Sequence, residues 1–180
     1  MNPPANRQPL LFGHYRLDIV YGHMTAELSG EVITLWLNNQ VVPRREAQRR
    51  TAEVVMTIRD SSNVLVGVNT VYIQDFIKAN NPYYFYRVFI RPEDRRSFGL
   101  RSFVSKATRE FLRNYYPVGH AKPHGVVIVV ENRKLARPGA QKLLARQGWT
   151  LIGKGPRGYD VWIENFDSAR ADTSAKNEYR

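Results

Sequence analysis

The chain contains no cysteine, which excludes disulfides, thiolate metal ligands and cysteine nucleophiles. It has no apolar run near the roughly 20 residues that would span a bilayer. Acidic residues are scarce: 16 Asp and Glu stand against 27 Lys and Arg, a formal net charge of +11. There is no Gly-x-Ser-x-Gly nucleophile elbow, no Walker loop and no dinucleotide-binding glycine fingerprint, which sets serine-hydrolase, P-loop and nicotinamide chemistry aside. The first residues, Met1 to Arg7, carry no apolar segment of the signal-peptide kind. The expectation is a soluble cytoplasmic protein without membrane association.

What the chain does have is core-forming material, with 43% hydrophobic and 12% aromatic residues in 180. That length suits one domain with a substantial core. The expected layout is a flexible arm over 1–13, a single domain over 14–166 and a disordered tail over 167–180. The positive charge is uneven. Between Arg91 and Arg113 seven basic residues face three acidic ones, and between Glu131 and Arg157 seven face one. Such a field attracts anions: nucleotides, nucleic acid or an acidic protein face.

Periodicity and capping residues predict the elements. A strand is expected over 15–21. Thr25 should cap a helix whose apolar face is Leu28, Val32, Leu35 and Trp36, and Pro43 should open a second, very basic helix. Strands follow over 54–59 and 64–73, around the Asp60-Ser61-Ser62-Asn63 turn. The aromatic run over 83–90 reads as a further strand, and the continuous apolar run over 126–130 as one buried on both faces. A helix should start at Pro138 and end at Gly148. A hairpin of strands over 149–154 and 159–166 closes the domain.

The densest information lies between Tyr83 and Tyr116. The aromatic strand ends at Pro92, and Glu93-Asp94-Arg95-Arg96-Ser97-Phe98-Gly99 turns the chain. From there Leu100, Phe103, Val104, Ala107 and Phe111 fall on one helix face. A basic glycine loop opening a helix is an anion site, since the first-turn N–H groups and the helix dipole both favour a phosphate. Arg96-Ser97-Phe98-Gly99-Leu100-Arg101 resembles the acyl-CoA pyrophosphate loop of the GNAT N-acetyltransferase superfamily, Gln/Arg-x-x-Gly-x-Gly/Ala. Val88-Phe89-Ile90-Arg91-Pro92-Glu93 is similar to the segment that leads into that loop, and Gly148-Trp149 to the family's Gly-Phe pair. The resemblance covers about residues 14–166. Arg101 departs from it, standing where the family has a small residue.

The resemblance implies an α/β fold, with a mixed central sheet of about six to seven strands flanked by four helices. It implies N-acyl transfer from acetyl-CoA or another acyl-CoA to an amine, carried by a small molecule or a protein. Cosubstrate binding would then fall to Phe89, Ile90, Arg95, Arg96, Ser97, Phe98, Gly99, Leu100, Arg101 and Asn132. Backbone amides near Phe89 and Ile90 would face the thioester. The segment between the first two helices and the loop over 73–82 would shape the acceptor pocket. Many members place a thiolate-protonating Tyr where this chain has Leu144, and many carry a Glu on the strand before the loop, where this chain has no carboxylate. The substitute acids and bases are Tyr86, Glu131 and Tyr159.

Two other readings stay open. One is a catalytically weak or inactive GNAT-like domain that binds a protein, as a viral or accessory factor with an acidic partner. The other is a basic nucleic-acid-binding protein. His120 and His124 have a His-x-x-x-His spacing, but they sit in a Pro/Gly loop without a third ligand, so no metal is expected.

Overall fold

A computed structural model describes residues 8–76, 81–97, 99–115, 121–131 and 137–166. The strands are β1 (Leu10–Phe12), β2 (Tyr15–Ile19), β3 (Val54–Arg59), β4 (Leu65–Phe76), β5 (Asn81–Ile90), β6 (Gly125–Val130), β7 (Thr150–Lys154) and β8 (Asp160–Asn165). The helices are α1 (Ala26–Asn38), α2 (Arg44–Arg50), α3 (Leu100–Arg113) and α4 (Pro138–Arg146), with 3-10 turns at Thr51–Glu53 and Asp94–Arg96. The class is α/β with a mixed sheet, as expected, and the eight strands run in the order β1-β2-β3-β4-β5-β6-β8-β7. The additional strand is β1, inside the segment read as an arm. It pairs antiparallel with β2 through Leu10–Leu17 and Phe12–Tyr15. The tail over 167–180 and the first seven residues lie outside the described residues.

Two compact units make up the chain. The first runs to Tyr72 and resumes at Arg87 through α3; the second comprises Ile73–Tyr86 and the chain from β6 to β8. In the first, Thr25 caps α1, its Oγ1 accepting from the Leu28 amide at 3.1 Å. The apolar face of α1 then buries Val32, Leu35 and Trp36 against Ala47, Val54, Leu65 and Val68, with Phe89 packed alongside. On α3, Thr108 accepts from Asn69 Nδ2 of β4 at 2.7 Å and donates to the Val104 carbonyl at 2.7 Å. That buried pair of bonds fixes the helix that begins the loop's far side.

In the second unit β5 and β6 run parallel, with Tyr84 opposite Val126 and Phe85 opposite Val127. Parallel neighbours need a long crossover, which α3 provides. β6 pairs antiparallel with β8 along its whole length, from Gly125–Asn165 to Val130–Asp160. The core here is Tyr83, Val127 and Val161, with Phe76, Phe85, Ile152 and Ile163 around it. Asp160 closes the β7–β8 hairpin: it is ion-paired with Lys154 and accepts from Gln141 Nε2 of α4 at 3.0 Å.

The hydrogen bond from Lys154 holds the Asp160 carboxyl below its ordinary 3.8. A depressed folded pKa means that stability is present above the ordinary value and lost as pH falls through the depressed one. Urea unfolding at a series of pH values should therefore show Asp160→Asn less stable than the parent above pH 3.8, with the gap closing below it. A gap independent of pH would remove this role from Asp160.

Candidate functional site

The loop after β5 is braced from beneath by a carboxylate. Asp94 is 9% exposed and accepts from the Tyr15 hydroxyl at 3.0 Å and from Arg91 Nε at 2.8 Å. Burial, followed by the Asp94 carboxylate, raises the Tyr15 phenol above its ordinary 10.0, so it stays a donor at neutral pH. Arg91 also reaches Asp60 and Glu93, and its amide donates to the Val66 carbonyl of β4. Arg95 Nε donates to the Ile90 carbonyl at 2.7 Å, with the guanidinium 5.5 Å from the Phe89 ring centre. Both arginines thus tie the turn back to the end of β5.

The backbone of that strand end lies close to its neighbour. A Cβ on Gly67 of β4 would come within 2.8 Å of the Phe89 carbonyl oxygen, a contact the strands could not absorb. Glycine here lets β4 sit against the Phe89–Ile90 peptide.

Gly99 then sits at φ +87°, the left-handed region that an L side chain rarely adopts, and is the N-cap of α3. No side chain caps this helix, and no acidic residue lies in its first turn. The Gly99 carbonyl accepts from the Phe103 amide at 2.8 Å, which starts the helical ladder. Arg96 and Arg101 are exposed, and among the described residues neither is in an ion pair. The chemistry of an uncapped, acid-free helix start beside two exposed guanidiniums suits an anion.

Arg95, Arg96 and Ser97 form and end a 3-10 turn, Gly99, Leu100 and Arg101 begin α3, and Phe89 and Ile90 are tied to the turn through Arg95. Leu100 is buried, so only its backbone faces the loop, and its amide donates to the Ser97 carbonyl at 3.3 Å. Phe98 and Asn132 lie outside the described residues, as does His120. Tyr86 is buried at mid-strand on β5. Glu131 and Tyr159 belong to the second unit, immediately beyond the last β6–β8 pair, Val130–Asp160. Glu131 is exposed and Tyr159 half-buried. Among the described residues no cluster of His, Asp or Glu could hold a metal ion, and no helix is long and apolar enough to cross a membrane.

Sequence reasoning missed Asp94, which it took as one residue of a polar turn, and Arg87, which it took as part of an aromatic strand. Arg87 Nη1 donates to Glu53 Oε2 at 3.1 Å, and its guanidinium lies 4.2 Å over the Tyr72 ring centre. That pair sets a carboxylate beside β5 from Glu53, 34 residues earlier. Only the charged residue inside an apolar run hinted at this. Burial, then Tyr115 and Glu53, push the neighbouring Tyr21 up to about 12, so it remains a neutral phenol.

No protein-family model and no curated protein matches the sequence. Solved structures do match. The chain is similar to a protein assigned to the GnaT family of acetyltransferases from Bordetella pertussis, at 12% identity and a TM-score of 0.59 over 87% of this chain and 98% of that one. It is similar to a GNAT-family acetyltransferase from Listeria monocytogenes, at 11% identity and a TM-score of 0.55 over 88% and 99%. A third similar structure is a variant of the AtaT toxin bound to the C-terminus of the antitoxin AtaR and acetyl-CoA, at 14% identity and a TM-score of 0.52 over 88% and 97%. The chain has the fold of the GNAT acetyltransferases.

Proposed function

We propose that the chain is an acyl-CoA-dependent N-acyltransferase that moves an acetyl group from acetyl-CoA to an amine. The observation that carries this reading is the loop from Arg95 to Arg101, with left-handed Gly99 at the uncapped start of α3. Pyrophosphate is the ligand that such a loop suits, with first-turn amides and the Arg96 and Arg101 side chains as donors. Arg95, already bonded to Ile90, orders the loop. The similar AtaT structure holds acetyl-CoA, which supports the same cosubstrate here.

The chemistry needs few groups. The amine nitrogen attacks the thioester carbonyl carbon and forms the C–N bond. Collapse of the tetrahedral intermediate breaks the C–S bond, the nitrogen loses its proton to a base or water, and the thiolate takes one up. Amides at Phe89 and Ile90 would stabilise the oxyanion; Tyr86, Glu131 and Tyr159, the substitute acids and bases expected from the sequence, all belong to the second unit. Leu144, half-buried on α4, cannot protonate the thiolate. A thiol with a pKa near about 8.5 leaves with help from water, so the missing acid should cost only about 10²–10⁴ in rate.

The second reading, a protein-binding domain without catalysis, is favoured by Leu144 and by the charge of +11, which suits an acidic partner. Release of CoA thiol from acetyl-CoA, measured with a panel of amines and basic peptides, separates the two. Amine-dependent release supports transfer; tight acetyl-CoA binding without release supports the binding role.

A further inference from the structure

The first unit contains a charge network that is one carboxylate short. Glu46 is bound by Arg49 and by Arg50 Nε at 2.6 Å; Glu53 is bound by Arg49 Nη1 at 2.6 Å and by Arg87 Nη1 at 3.1 Å. Hydrogen bonds from Arg49, then Arg50, hold Glu46 down to about 2, so it is an anion throughout the neutral range. Three guanidiniums therefore share two carboxylates, and a unit of positive charge is left over.

Arg50 and Arg87 share that surplus, each held by one carboxylate contact, and Arg87 is the more exposed of the two. Of its five N–H donors, those on Nη1 meet Glu53, while Nε and Nη2 have no partner among the described residues. Glu53 holds one edge of the guanidinium and the Tyr72 ring holds its plane. The side chain is still 34% exposed, although β5 is an interior strand of the sheet. Arg87 and Phe89 share one face of β5, since strand side chains alternate. Phe89 packs onto the α1 cluster, so the face is covered at Phe89 and open at Arg87. A guanidinium with a fixed plane and a free donor edge matches the two oxygens of a carboxylate.

Its position narrows the ligand. Arg87 lies two residues, roughly 7 Å of strand, before the Phe89–Ile90 peptide, at which the proposed reaction sets the thioester. A molecule that bridges the two carries a carboxylate at one end and an amine at the other. We infer that Arg87 binds the carboxylate of the acceptor, and that the acceptor is an amino acid. This inference rests on the acyltransferase reading of the Arg95–Arg101 loop.

The test is CoA-thiol release with small amino acids, each paired with its own amide: glycine, L-alanine, β-alanine and γ-aminobutyrate. At least one amino acid should exceed its amide in kcat/KM by roughly ten- to hundredfold, mainly through KM. In Arg87→Gln that ratio should fall towards one, and Arg87→Lys should retain part of it. A merely structural role for Arg87 would lower both members of a pair and leave the ratio standing. Wild-type preference for the amides, or a ratio unchanged in Arg87→Gln, overturns the inference while leaving acyl transfer intact. Absence of acetyl-CoA binding in a parallel calorimetric titration of the wild type overturns the loop reading and this inference with it.

Discussion

Gly99→Val is expected to weaken acetyl-CoA binding by roughly a hundredfold or more, the combined effect of backbone strain and a blocked anion site. The strain is local. A φ of +87° is open to glycine, whereas an L residue in the left-handed region costs about 1–2 kcal/mol and a β-branched one more. The new Cβ would also press on the Phe12 ring, whose Cζ is 3.3 Å away. Relieving either contact turns the first-turn amides of α3 away from a bound phosphate. Gly99→Ala should do the same to a smaller degree. Arg96→Ala, which leaves the backbone alone, should cost roughly 1.5–3 kcal/mol of binding as the loss of a charge-assisted contact. Calorimetry with acetyl-CoA reads all three, with thermal melts to confirm that each variant folds. Unchanged affinity in Gly99→Val and Arg96→Ala together would take the phosphate role away from this loop.

Asp94→Ala should be the most destabilising single change in the loop, by roughly 3 kcal/mol. It removes the acceptor of two hydrogen bonds and leaves the Arg91 guanidinium and the Tyr15 hydroxyl without their buried anion. Tyr15→Phe removes one of these bonds and no charge, so about 1 kcal/mol is expected. Asp94→Asn should fall between the two. Because Asp94 lies beneath Arg95 and Arg96, acetyl-CoA binding should weaken along the same series. Urea unfolding checks the order. A loss within about 0.5 kcal/mol for Asp94→Ala, the scale of an ordinary surface change, would show that the loop does not depend on this brace.

Much of the architecture was legible because it rests on local rules. Thr25 before an apolar helical period, Pro138 at the start of α4 and the aromatic strand before Gly99 each specify an element from a few neighbouring residues. β1 was not legible. Leu10–Phe12 is three residues long and follows a Pro- and Asn-rich stretch, and it becomes a strand only by pairing with β2. The strand ends also moved: β4 continues to Phe76 and β5 begins at Asn81, extensions that depend on neighbouring strands more than on propensity.

The site divides in the same way. The loop proposed to hold the pyrophosphate could be singled out because Arg96, Gly99 and the start of α3 are contiguous. Asp94 could not be, since its burial comes from Tyr15, 79 residues away. Arg87, Glu53 and Tyr72 meet only through the packing of β4 and β5 with the turn after α2, and no spacing in the sequence announces such a meeting. The very basic α2 was legible as a helix, but the ties of Arg49 and Arg50 to Glu46 within it were not.

The most direct test of the account is amine-dependent release of CoA thiol from acetyl-CoA by the purified chain, followed as a function of pH. The account predicts saturable release that is slow, rises with pH as the acceptor amine loses its proton, and is lost in Gly99→Val. Absence of both acetyl-CoA binding and thiol release, across amines, amino acids and basic peptides, would contradict it.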